Sequence, residues 1–186
     1  MIIPMEIKHA EEVAELHYLY IRSLLRDLGK RMCIIFYNTA LKSYNNFGFV
    51  FIESSKVLGF SFATEDNSQL FRNLRIRLEI CFALLKKPML IKRFLFHLRS
   101  KFPPAPESLY LATDLKIRGR GIGKRLQIAR DYEFKKRGIK YYELRIDAKN
   151  IVNLYLNQKV HGAKIKEEFI ENGIRRFLLY RNLDNE

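Results

Sequence analysis

Only two cysteines, Cys33 and Cys81, occur in the chain's 186 residues. Met32 and Ile34 flank the first, Ile80 and Phe82 the second. Both are therefore read as buried, reduced thiols, which excludes a disulfide scaffold or a cysteine-held metal. Long apolar runs are absent too, so no segment is long enough to span a bilayer. Met1 to Met5 has no charged stretch ahead of an apolar core, no secretory leader is expected, and the expected location is cytoplasmic. The histidines are scattered. His17, His97 and His161 share no spacing with Cys, Asp or Glu that suggests a metal site, and each is read as structural. Acid is in short supply: 20 Asp and Glu stand against 34 Lys and Arg, a net charge of +14 that favours negatively charged partners. What is plentiful is apolar content, 48%, which at this length suits a single domain over residues 1–186.

The positive charge is concentrated. Between Phe71 and Lys101 the chain carries nine Lys or Arg residues and one acid, Glu79. Arg72, Arg75, Arg77, Lys86, Lys87, Lys92, Arg93, Arg99 and Lys101 are interleaved with Leu, Ile and Phe, and Pro88 splits the stretch into two short amphipathic helices. This pattern suits a site for a phosphorylated substrate, a nucleic-acid face or a membrane-surface patch. It equally suits two solvated helix faces over a hydrophobic core.

Along the chain, Val13, Leu16, Leu19, Tyr20, Leu24 and Leu28 recur at helical spacing, so a helix is predicted from Ala10 to Leu28. Glu11, Glu12 and Glu15 lie near its start, where the helix dipole favours acids. Gly29 interrupts it, and a second helix is predicted from Met32 to Tyr44. Asn45-Asn46-Phe47-Gly48 reads as a turn. Two antiparallel strands follow, Phe49 to Glu53 and Val57 to Thr64, around Ser54-Ser55-Lys56. The prolines of Pro103-Pro104-Ala105-Pro106 make a stiff connector into a strand over Leu109 to Thr113. A helix from Lys124 to Lys136, closed by Gly138, leads to a strand from Tyr141 to Asp147 and a short helix from Asn150 to Gln158. Ala163 to Ile170 and Ile174 to Asn182 form a final hairpin across Glu171-Asn172-Gly173.

The segment from Leu109 to Gly123 carries the most chemistry. An apolar strand runs into Arg118-Gly119-Arg120-Gly121-Ile122-Gly123, and a helix follows. Glycines allow a tight turn that exposes N–H groups, and the helix start adds its positive dipole end. Such a loop can hold a pyrophosphate. A dinucleotide fingerprint would need a glycine one residue beyond Gly123, where Lys124 stands; a P-loop would need Ser or Thr after its lysine, where Arg125 stands. What remains is Arg118-x-x-Gly121-x-Gly123 directly after a strand. It resembles the acetyl-CoA loop of the GNAT superfamily of N-acetyltransferases, Gln/Arg-x-x-Gly-x-Gly/Ala.

The order of elements fits that superfamily over nearly the whole chain, most strongly from Glu107 to Gly162. The resemblance implies a mixed α/β fold, a mostly antiparallel sheet flanked by helices with a splayed central strand pair. It implies acetyl-CoA as cosubstrate, with its pantetheine arm in the splay. Leu111 and Thr113 would bind that arm through their backbones. Arg118, Gly119, Arg120, Gly121, Ile122, Gly123 and Lys124 would face the pyrophosphate, with the Arg120 and Lys124 side chains adding charge. Tyr155, within Asn153-Leu154-Tyr155-Leu156, matches the tyrosine that serves the leaving thiolate. The asparagine usual seven residues before it is replaced by Ala148, with Asn150 nearby as the cofactor-side asparagine. The segment to His161-Gly162 is also longer than the common Tyr-x-x-x-Gly-Phe, which leaves the register of this helix open by a turn.

Glu107, six residues before Thr113, stands where the histone-acetylating branch of the superfamily places its base; a water chain is the alternative. The implied activity is acetyl transfer to a primary amine without a metal. The charge favours an anionic small-molecule acceptor, such as a nucleotide-linked amino sugar. A protein N-terminus or lysine is the second acceptor class. A CoA- or nucleic-acid-binding module that kept the fold without turnover is the alternative from another functional class.

Overall fold

The computed structural model describes residues 1–98, 103–171 and 173–184. Arg99 and Lys101 of the basic stretch and Asn172 of the closing turn lie outside the described residues, as do the side chains of Arg93 and His97. A short strand, β1 (Ile2–Pro4), precedes three helices, α1 (Ala10–Tyr20), α2 (Leu24–Leu28) and α3 (Lys30–Ala40). The hairpin of β2 (Asn46–Glu53) and β3 (Lys56–Thr64) follows, then α4 (Leu74–Lys86) and α5 (Ile91–Leu98). The second half holds β4 (Glu107–Thr113), α6 (Ile122–Lys136), β5 (Tyr141–Asp147), α7 (Ile151–Tyr155), β6 (Lys164–Glu171) and β7 (Ile174–Asn182).

These strands make one sheet in the order β1-β2-β3-β4-β5-β7-β6. Every neighbouring pair is antiparallel except β4 and β5, which are parallel. The core lies on both faces of the sheet. On one, Val13 and Leu16 of α1 and Phe36 and Tyr37 of α3 pack with Val50, Phe60 and Phe62. On the other, α6 lays Ile122 and Leu126 near Phe51, and Phe134 between Phe47 and Tyr142. Each such side chain withdrawn from water contributes about 1.5–3 kcal/mol.

Local competition explains where the elements depart from the periodic pattern. The helix expected from Ala10 to Leu28 is two helices, because Ile21 turns extended and Ser23 caps α2 with its Oγ, which accepts from the Arg26 N–H at 3.1 Å. β2 begins at Asn46, inside the stretch read as a turn. There Phe47 is buried edge-on against Phe134 at 4.8 Å, and that burial outweighs the turn signal of the flanking asparagines and glycine. Helix α3 ends at Ala40, short of Tyr44. β1 is too short to have shown in the sequence pattern. Cys33 is buried, but Cys81 is exposed, which corrects the expectation drawn from its apolar neighbours. Those neighbours belong to a helix that is apolar on its outer side as well.

Candidate active site

Strands β4 and β5 pair only at Glu107 with Glu143 and Ser108 with Leu144; beyond them the two strands part. Toward β3 the register of β4 slips at the same place, Ser108 opposing Ala63 and Tyr110 opposing Phe62, so Leu109 is an extra residue. Strict alternation would send Ser108 and Tyr110 to one face of the sheet. The bulge separates them. Ser108 meets Arg130 of α6, while Tyr110 stacks edge-on against His17 of α1 at 4.5 Å. The Asp114 N–H bonds to the Leu58 carbonyl of β3 at 2.7 Å. Backbone groups alternate direction along a strand, so those of Thr113 and Leu111 point away from β3, into the gap.

The glycine turn sits at the top of this gap. Gly119 and Gly121 have φ of +81° and +71°, a region costly for residues with a Cβ, and a Cβ at either would meet nothing within 4 Å. Gly121 is the N-cap of α6 and has no side chain to cap it, which leaves the first-turn N–H groups of Ile122, Gly123 and Lys124 without an intrahelical acceptor. Gly123 is helical, and a Cβ there would touch Leu111 Cδ2 at an ordinary 3.8 Å. Arg120 grips Glu53 through two bonds of 2.9 and 2.7 Å, so its charge is already compensated. Arg118 lies over the Tyr20 ring at 5.9 Å, and Lys124 is exposed.

The gap is lined by Gln127 and Arg130 from α6 and by Asn153 and Asn157 from the far side. Asn157 is fully buried; its Nδ2 donates to the carbonyl and side-chain oxygens of Asn153, and its Oδ1 accepts from Gln127 Nε2 at 3.3 Å. Gln127 Oε1 is buried with no hydrogen-bond partner among the described residues. Sequence reasoning missed these four residues. Their signal was the i, i+3 spacing of Gln127 and Arg130 and the i, i+4 spacing of Asn153 and Asn157, which place polar pairs on one side of a helix.

Tyr155 falls elsewhere. It is 62% exposed. At about 100° per residue, a position two along from both Asn153 and Asn157 points to the opposite side. The turn after α7, Leu156 to Val160, is a π-helix, whose extra residue accounts for the long connection to Gly162. Asn150 caps α7, its Oδ1 accepting from the Asn153 N–H at 3.2 Å.

Glu107 lies on the α1 face of the sheet, at the foot of the gap. Asn67 Nδ2 donates to its Oε2 at 2.7 Å, and Arg145 Nε stands 3.4 Å from its Oε1. Burial pushes its carboxyl above the usual carboxylate range, against the pull of Arg145 and Asn67; Glu171 and Glu143 push it the same way as burial. Arg176 holds Glu171 at 2.9 Å and reaches the Arg22 carbonyl at 3.2 Å. The basic side chains of α4, Arg75, Arg77 and Lys86, are exposed.

No protein-family model matches the chain by sequence, and no curated protein does. Solved structures do match its shape. An acetyltransferase of the GNAT family from Streptococcus pneumoniae is 19% identical, with 98% of each chain covered and a TM-score of 0.62. Salmonella typhimurium yncA, solved with its cofactor acetyl-CoA, is 12% identical over 100% of this chain and 95% of its own, TM-score 0.65. The paia N-acetyltransferase of Thermoplasma acidophilum, in complex with coenzyme A, is 15% identical over 98% and 99%, TM-score 0.61. The chain has the fold of the GNAT acetyltransferases.

Proposed function

We propose that the protein is an acetyl-CoA-dependent N-acetyltransferase acting on a primary amine. The observation that carries this reading is the gap between β4 and β5, which opens beside an uncapped helix start. The residues around it fit the cosubstrate. Ile122, Gly123 and Lys124 would offer N–H groups to the pyrophosphate. Leu111 and Thr113 would bind the arm as a missing strand would, and the unpartnered Gln127 Oε1 would accept from an amide N–H. Bound acetyl-CoA would supply an acetyl group activated as a thioester. Glu107 would take the proton of the attacking amine, since a carboxylate raised by burial is a stronger base near neutral pH. Tyr155, turned to solvent, would stand outside the chemistry.

The acceptor class follows from what faces Glu107. An anionic acceptor, such as a nucleotide-linked amino sugar, rests on the chain's net charge, yet Arg145 and Arg176, the cations around Glu107, already face Glu107 and Glu171. Lys166 likewise holds Glu143 at 2.7 Å, so carboxylates and cations balance there, and a lysine or protein N-terminus fits the same site.

Calorimetry with acetyl-CoA and a thiol-release assay over an amine panel test the reading. Glu107→Gln is expected to lower kcat by about 100-fold with unchanged acetyl-CoA affinity. Tyr155→Phe is expected to stay within about twofold of wild type, against the roughly 100-fold loss of a proton donor. Acetyl-CoA binding without turnover on any amine would leave a non-catalytic module, and no binding would overturn the proposal.

A further inference from the structure

Helix α4 is apolar on two opposite sides. Ile76 and Ile80 face inward and are buried. Leu74, Leu78, Phe82 and Leu85 face outward, and Met89, in the short turn after the helix, is exposed as well; Phe82 is 61% exposed, Leu85 78% and Met89 82%. Within α4 the spacing i, i+4, i+8, i+11 of Leu74, Leu78, Phe82 and Leu85 is that of a single helical face. Arg75 and Lys86 border the row on one side and Arg77 on the other, all exposed. Glu79, the sole acid from Phe71 to Lys101, is taken up by Arg31 at 2.9 Å. The outer face is thus an apolar stripe edged by positive charge alone.

We propose that this face docks the protein on an anionic membrane surface, an interaction separate from the acetyltransferase reading. A merely solvated helix face has no use for four large apolar side chains in a row. A nucleic acid would engage the cations but leave the Leu and Phe side chains without apolar partners. A second copy across a two-fold axis would bring Arg75, Arg77 and Lys86 against their own symmetry mates. A bilayer with anionic headgroups satisfies both halves of the surface: the apolar row enters the acyl boundary while the long cationic side chains reach the headgroup phosphates.

Sedimentation of the full chain with vesicles tests this, using phosphatidylcholine alone and phosphatidylcholine mixed with phosphatidylglycerol. Wild type is expected to sediment with the anionic vesicles only. The pair Leu78→Ser and Phe82→Ser leaves the charge unchanged and is expected to weaken partitioning roughly 100-fold, two large apolar side chains being withdrawn. The chain has no tryptophan, so Phe82→Trp places a lone reporter in the stripe. Its emission is expected to move to shorter wavelength on anionic vesicles and to stay unchanged on neutral ones. Both positions are exposed, and circular dichroism checks that the variants keep their helix content. Wild type that fails to sediment overturns the proposal, and so does undiminished binding by the serine pair, which would make the contact one of charge alone. A dimer in ultracentrifugation that the serine pair dissolves, without vesicle binding, would assign the face to a second copy instead.

Discussion

His17 is fully buried between α1, α2 and α3, with Nδ1 2.7 Å from the Tyr37 hydroxyl and Nε2 2.6 Å from Ser23 Oγ. Burial holds its pKa down to about 3, and the charge of Arg26 acts in the same direction. The neutral ring belongs to the folded state, whereas in the unfolded chain it protonates at its ordinary value near 6.5. The unfolded state therefore binds more protons between those two values. Stability falls as pH drops through that window, by up to about 1.4 kcal/mol per pH unit from this group. Urea unfolding at a series of pH values should show that slope in wild type and a shallower one in His17→Gln. An unchanged slope would assign the acid sensitivity to carboxylates alone. The same burial logic, with the opposite sign for an acid, raises Glu107 and suits it to accept a proton.

At the scale of the element, two turns run through left-handed backbone, one with side chains and one with glycines. Ser54 and Ser55 join β2 to β3 with φ of +49° and +61°, the left-handed pair of a two-residue hairpin turn. Replacing them by Asn and Gly should stabilise the fold by about 1–2 kcal/mol, read by urea unfolding. In the turn before α6, Gly121→Val meets an unfavourable φ, so a loss of acetyl-CoA affinity there mixes strain with blocked approach. Gly123→Glu separates them. The position is helical and a Cβ there meets only Leu111, at 3.8 Å, so the variant should fold normally while its charge and bulk lower acetyl-CoA affinity. Unchanged calorimetric affinity in Gly123→Glu would show that no ligand approaches the helix start at this residue.

Across the whole molecule, the splay leaves the two parts of the sheet joined by a short stretch of pairing, and α6 supplies a further tie. Arg130, fully buried, donates to Ser108 of β4 and to the Tyr142 hydroxyl of β5, each at 2.5 Å, and to Asp131 at 3.0 Å. Asp131 in turn faces Arg181 of β7 at 3.1 Å. One buried ionic cluster thus holds both sides of the gap to the same helix. Removing Arg130 leaves Ser108 and Tyr142 short of a donor and alters the charge balance around Asp131. Arg130→Ala should cost about 3–5 kcal/mol in equilibrium unfolding. A loss below about 1 kcal/mol would mean that apolar packing of α6 alone holds the two parts together.

The order of elements from β2 onward, the bounds of β5 and the glycine turn ahead of α6 were legible in the residues themselves. Periodicity, capping and the left-handed freedom of glycine act over a few neighbours, and that information is local. The direction of a side chain is not. Tyr155 and Asn157 lie on the same short stretch, yet only the packing of that stretch against α6 decides that Asn157 enters the gap. The bulge at Leu109 puts Glu107 and Tyr110 on one face and Ser108 on the other, and it exists only through pairing with β3. Cys81 and Phe82 look like core from their neighbours, and they are exposed because α4 finds a partner for just one of its two apolar sides. Local pattern settles which element forms; the facing element settles which atoms meet.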